Sequence, residues 1–429
     1  MNDTENFKSH ILSFSKNIEL IRDFINMVEP LLTKEGKKQA KKDAKHLLPL
    51  AYLSDNAGKL SAKDKKAMTQ ITGIKSVKQI GDNGLAITVS DLSKFKGIEQ
   101  ALKRAEFSFD RSNFLYETSL ISLISATEWF FCQTLKLHFS RYPDIITEKS
   151  GLSFTFKDLK NFKTITDAQN YLLEQKIDSI IRGSFINWIE YLNTTLKINT
   201  KNFSAYLDDT YEFFLRRNLM VHNRGIVNNT YKNFLPKKLN SNDQINIGDK
   251  LKVNKEYLIQ KSYLIEIIFL DIASQFWFKQ IKTETEMNEF TTIYNNNIIY
   301  EHLKEERYEV ASHLSKIMMN NMKLPEKDRV CAQINYWIAE KYMGNYETIK
   351  DSIISSDFSA KDNIFLLAKL AITEDNKKFF NLLPYVAEPK GRLTEKDLQE
   401  WPLFNLQRKN KRKFGEALKA IRELKEEAA

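Results

Sequence analysis

The chain has 429 residues, too many for one ordinary core; 42% are hydrophobic and 12% aromatic, which excludes a disordered tail. Thirteen Gly and eight Pro are few for this length and favour helices over strand-and-turn architecture. The 65 basic and 55 acidic residues leave a net charge of +10, which favours a phosphate-bearing partner without requiring one.

Residues Met1–His10 carry acids and no apolar core, so no signal peptide is expected. The most apolar window, Tyr263–Phe278, is broken by Glu266 and Asp271, so no membrane span is expected either. Cys132 and Cys331 lie far apart without metal-type spacing and read as reduced, buried thiols of a cytoplasmic protein; no metal or cofactor is expected.

In chain order, Glu5–Leu32 has helical periodicity (Phe7, Ile11, Phe14, Ile18, Ile25) and is expected to stop near Pro30. Lys34–Lys45 follows, with Lys37, Lys38, Lys41 and Lys42 in quick succession: a solvated helix face, or a nucleic-acid contact. Gly81-Asp82-Asn83-Gly84 is a turn signal, and Leu85–Val89 is the best strand candidate. Residues 1–92 thus read as a small, mostly helical N-terminal module with a short strand.

From residue 93 the pattern is strongly helical. Phe95–Leu137 reads as a long helix or a broken pair, Ser153–Phe162 as a polar connection, and Thr166–Leu196 as a further helix. Phe203–Asn223 is a helix with Gly225 as its stop, Asn240–Asp249 is a loop, and Tyr257–Lys279 is a last apolar helix. Residues 93–284 are therefore expected to form a compact helical bundle. The remainder, 285–429, is helical with a faint repeat: Tyr308, Tyr346, Phe380 and Phe414 are separated by 38, 34 and 34 residues, a tetratricopeptide-like period. Such an arm offers a concave surface for a protein partner. The whole is an all-α protein.

One stretch suggests chemistry: Arg216-Arg217-Asn218-Leu219-Met220-Val221-His222-Asn223-Arg224-Gly225. Histidine is the side chain poised to move protons near neutral pH, and arginine is a fixed cation suited to phosphate. Asn218 and His222 are an i, i+4 pair, whereas Arg217 and His222 point about 140° apart on an ideal helix. A second copy of the helix would bring an Arg and a His into one cleft, which is a geometric reason to expect a homodimer. A second Arg-to-His spacing, Arg307 to His313, falls in the first repeat and reads as coincidence.

Arg217-Asn218-x-x-x-His222 resembles the active-site motif of the HEPN superfamily. So do the longer string from Arg216 through Gly225-Ile226-Val227-Asn228 to Tyr231, the later Gly248-Asp249-Lys250-Leu251-x-Val253 and Tyr257, and the upstream Ser122–Glu128. The resemblance spans roughly Asp91–Lys279. It implies a dimeric, metal-independent endoribonuclease of a bacterial phage-defence or toxin system, with RNA as partner. In that reading Arg217, Asn218 and His222 are catalytic, Glu128 and Tyr231 support them, and Arg216 and Arg224 contact RNA. Not every HEPN domain cleaves, so the alternative is a non-catalytic RNA- or protein-binding module or sensor with a repeat scaffold.

Overall fold

The computed structural model describes residues 3–55, 61–80, 84–143, 154–160, 162–240, 245–389 and 391–427. Among them every element is helical except one two-stranded sheet, so the chain is all-α. The turn expected at Gly81-Asp82-Asn83 lies outside the described residues, as do Ser153 and residues 241–244 of the two expected connections.

Two very long helices organise the molecule: α1 (Asp3–Asp55) and α3 (Leu92–Arg141), of 53 and 50 residues. They run antiparallel, because rising numbers on one meet falling numbers on the other. Phe14 stacks on Phe130 with ring centroids 4.1 Å apart, Tyr116 donates to Glu29 at 2.5 Å, and Arg104 Nη2 reaches Asp43 at 2.5 Å. Helix α1 does not stop at Pro30 but continues for 25 further residues. Packing against α3 on both sides of the proline outweighs the one hydrogen bond that its ring removes.

At the far end of this pair sit α2 (Ala62–Thr72) and a hairpin of β1 (Ile74–Ile80) and β2 (Gly84–Val89), antiparallel with Val77 opposite Ile87. Strand β2 is the expected one; β1 was not read from the sequence, because Lys75 and Lys78 blur its alternation. Ile74, Val77 and Ile98 make a small separate cluster there. Phe7, Ile11, Phe14, Ile18 and Ile25 of α1, each at most 1% exposed, belong to the main core.

Helices α4 (Ile165–Ile181) and α5 (Phe185–Thr194) divide what reads as one helix. Gly183 breaks it, and Ser184 caps the second half by accepting from the Asn187 amide at 3.3 Å. A 3₁₀ turn, Thr200–Tyr206, leads into α6 (Leu207–Asn223), the helix that carries the Arg/His motif. Helix α7 (Lys255–Phe278) is buried on all sides: Ile265, Ile267, Ile268, Leu270 and Ala273 are all 0% exposed. Its continuous apolarity therefore reflects a central position. Among the described residues no helix is long and apolar enough to cross a membrane.

After α7 a helical run from Glu284 to Lys304 passes through a π-helical middle, Thr292–Ile299. Helices α8 (Tyr308–Asn320), α9 (Glu326–Tyr342), α10 (Tyr346–Ser355), α11 (Asn363–Ile372), α12 (Asn376–Val386) and α13 (Lys411–Glu427) form the arm. Three hairpin turns are built alike. Glu306, Gly344 and Glu374 each have positive φ (58°, 87° and 59°). The next amide in each case reaches five residues back, Arg307 to His302 at 2.8 Å, Asn345 to Glu340 at 2.9 Å and Asp375 to Leu370 at 3.0 Å. This register puts Asn376, not Phe380, in the place of Tyr308 and Tyr346. Phe414 follows a turn of another kind, with Asn410 bonded to Gln407, so the aromatic spacing overstates the regularity of the repeat.

Candidate functional site

Helix α6 has two different halves. Tyr211 and Phe214 are buried, the latter under Phe185 of α5 at 4.9 Å between nearly parallel rings. One to two turns later the same stripe is uncovered: Asn218, Val221 and His222 are all exposed. The helix closes at Arg224, which adopts φ 51°, and Gly225 follows at φ 78°. A Cβ on Gly225 would meet Met220 Sδ at 2.9 Å and Leu251 O at 3.0 Å, so the turn requires glycine.

This turn joins two strings that are far apart in sequence. Leu251 N donates to Gly225 O at 2.9 Å, Val227 N to Asp249 O at 2.9 Å, and Gly248 N to Val227 O at 2.9 Å. The Gly248-Asp249-Lys250-Leu251 segment thus pins the C-terminal end of the motif helix.

Adjacent arginines on α6 point to different partners. Arg217 Nη2 is paired with Glu128 Oε1 of α3, and both side chains remain partly exposed. Arg216, read from the sequence as facing RNA, is turned inward instead. Its Nε donates to Glu212 at 2.6 Å, its Nη1 to Lys252 O at 3.0 Å, and its guanidinium lies 4.4 Å from the centre of the Tyr257 ring. The i, i+4 relation to a buried glutamate draws it in.

Glu212 is the hub of this inner network. Besides Arg216 it accepts from Tyr231 Oη at 2.8 Å and Tyr257 Oη at 2.7 Å, with Lys261 Nζ at 3.8 Å. Burial, reinforced by the Glu212 charge, drives the Tyr231 and Tyr257 hydroxyls well above the usual phenol range. Burial pulls Arg216 the other way, but Tyr257 and Glu212 outweigh it and the guanidinium is held above its ordinary value. Tyr231 is 2% exposed and serves this network rather than the outer face. Sequence reasoning missed Glu212; its signal was a lone acid inside Tyr211-Glu212-Phe213-Phe214, one turn before an arginine.

The outer face therefore presents Arg217, anchored by Glu128, with Asn218 and His222. Among the described residues neither the Asn218 nor the His222 side chain makes a hydrogen bond, and Arg224 is exposed without an ion pair. The second Arg/His spacing has structural work. Arg307 Nε donates to His302 Nδ1 at 2.9 Å, and His313 Nε2 lies 3.1 Å from buried Asp271. The His313–Asp271 contact ties the arm to the central helix, and Arg307 also reaches Glu19 of α1 at 2.8 Å. Cys132 and Cys331 are unpaired and partly buried, and burial pushes the Cys331 thiol up to about 11. No family model, curated protein or solved structure matches this chain.

Proposed function

We propose that the protein is a metal-independent endoribonuclease of the HEPN type, acting as a homodimer in a cytoplasmic bacterial phage-defence or toxin system. The observation that carries the reading is the outer face of α6, where an exposed, unbonded His222 follows an Arg217 held at the surface by Glu128. RNA supplies its own nucleophile. The 2′-oxygen bonds to phosphorus as the bond from phosphorus to the 5′-oxygen breaks. The proton leaves the 2′-hydroxyl, and the departing 5′-oxygen takes one up; an imidazole suits either transfer. Arg217 stabilises the charge gathering on the non-bridging oxygens. Asn218, one turn before His222, orients the imidazole or the phosphate. The products carry 2′,3′-cyclic phosphate and 5′-hydroxyl ends.

Helical geometry sends Arg217 and His222 in directions about 140° apart, and a second copy would close one cleft around both. The pairing of Arg217 with Glu128 favours a second reading, a non-catalytic RNA- or protein-binding module in which that cation is structural. Cleavage of bacterial RNA in EDTA, parent beside His222→Ala, separates the two. Cyclic-phosphate ends made by the parent alone support the nuclease. Equal cleavage by a folded His222→Ala protein removes it.

A further inference from the structure

The middle of α1 carries Lys34, Lys37, Lys38, Lys41 and Lys42, which share an arc of about 140° on the helix. All five are exposed, and none forms an ion pair among the described residues. Lys34–Lys38, Lys37–Lys41 and Lys38–Lys42 are like charges one turn apart, an arrangement that weakens a helix unless something opposes it. The acids of this stretch turn toward α3: Glu35, at the edge of the groove described next, pairs with Arg111 at 3.4 Å, and Asp43 with Arg104 at 2.5 Å. Gly36 keeps the two helices close, since a Cβ there would stand 3.0 Å from Ser108 Oγ.

Helix α3 supplies a second basic wall. Lys103, Arg104, Phe107 and Arg111 join Lys38, Lys42 and Glu35 around a groove of about 460 Å³. Lys103 is shared there with Glu99, Arg104 with Asp43 and Arg111 with Glu35, so Lys38 and Lys42 are its unpaired cations among the described residues. Phe107 is 60% exposed, with the Arg111 guanidinium 4.7 Å from its ring centre. An aromatic face left open between cations is a platform for a stacked base, and the lysine ridge is a track for a phosphate backbone. A bilayer is a poorer fit, because its flat surface meets ridges and cannot enter a groove between helices.

We propose that this α1/α3 groove and the lysine ridge along its edge bind single-stranded RNA, with a base stacked on Phe107 beside Lys38 and Lys42 and phosphates continuing over Lys37 and Lys41 on the adjoining face of α1. The groove lies away from the Arg217/His222 face: Arg111 and Glu128 are 17 residues apart on α3, about 26 Å of helix. The inference shares a ligand class with the proposed nuclease but does not need cleavage, and its probe keeps the two distinct.

The test is fluorescence anisotropy with a labelled single-stranded 2′-O-methyl RNA, which lacks the attacking hydroxyl, titrated at several salt concentrations. The full-length parent should bind with salt-dependent affinity. Replacing Lys37, Lys38, Lys41 and Lys42 by Gln should flatten the log–log salt slope by about 3, at roughly 0.7 per lost phosphate contact. Phe107→Ala should weaken binding roughly five- to a hundredfold without changing the slope, and Phe107→Trp should restore it. A matched variant with Lys377, Lys409, Lys411 and Lys413 of the arm changed to Gln should bind as the parent does. Parent affinity and slope in the α1 variant would overturn the proposal, as would an equal loss in the arm variant. So would a parent that ignores this RNA at low salt yet binds phosphatidylserine/phosphatidylcholine vesicles through the same lysines.

Discussion

Arg217 and Glu128 stand 89 positions apart in the chain, yet their side chains meet across the α3–α6 boundary with 23% and 30% of each exposed. A pair this accessible contributes little to stability, about 1 kcal/mol at most. Glu128→Ala and Arg217→Ala should each shift the urea midpoint only slightly, and a double-mutant cycle should return a coupling no larger than that. A coupling of several kcal/mol would show the pair to be a structural clamp and weaken the case for Arg217 as a phosphate ligand.

The Glu212 hub should behave in the opposite way. Glu212→Ala leaves a half-buried Arg216, the half-buried Tyr257 hydroxyl and the buried Tyr231 hydroxyl without their common acceptor, and should cost about 3–5 kcal/mol. Tyr231→Phe removes a single bond and should cost about 1 kcal/mol. Chemical denaturation of the two variants checks the ranking, and a Tyr231→Phe loss as large as that of Glu212→Ala would refute it.

Acid should destabilise the fold through two histidines. Burial, with Lys279 adding to it, lowers His138 to about 4 from an ordinary 6.5. Burial lowers His302 to about 4 as well, against the opposing pull of Glu266. Between these limits the unfolded chain binds more protons than the folded one, so stability is intact above pH 6.5 and drains away as pH falls toward 4. His138→Asn should flatten that decline in denaturation series run across the window. An unaltered pH slope would show that His138 takes no part.

Gly225→Ala should destabilise by more than about 1 kcal/mol, since the new Cβ meets both positive φ and the close Met220 and Leu251 atoms. Because the turn fixes the end of α6, amide exchange at residues 226, 227, 250 and 251 should accelerate together. Protection lost at 226 and 227 alone would mean that the two strings are held independently.

Much of the fold is legible in the sequence because apolar periodicity reports burial. Phe7, Ile11, Phe14 and Ile18 mark the buried face of α1, and the unbroken apolarity of α7 marks a central helix. The proline rule failed at Pro30 because a 50-residue neighbour props the helix from outside, and no local signal encodes that. The aromatic spacing shows the repeat but not its register, because the hairpins are set by backbone turns at Glu306, Gly344 and Glu374. At the candidate site, the spacing of Arg217 and His222 was readable. The inward turn of Arg216 has only Glu212, one turn earlier, as its local signal; the Lys252 carbonyl and the Tyr257 ring that complete its surroundings arrive from later segments.

The stacking of Phe7 on Trp277, with ring centroids 6.1 Å apart, carries a temporal consequence. A ribosome adding about 5–20 residues per second needs roughly 15–55 s to travel between those two positions. Through that interval the apolar face of α1 waits for its central partner, sheltered only by α3 once that helix has emerged. Birth of the motif helix precedes completion of the core beneath it. Any activity of α6 that depends on a rigid base is thereby withheld until the last apolar helix of the bundle has been made.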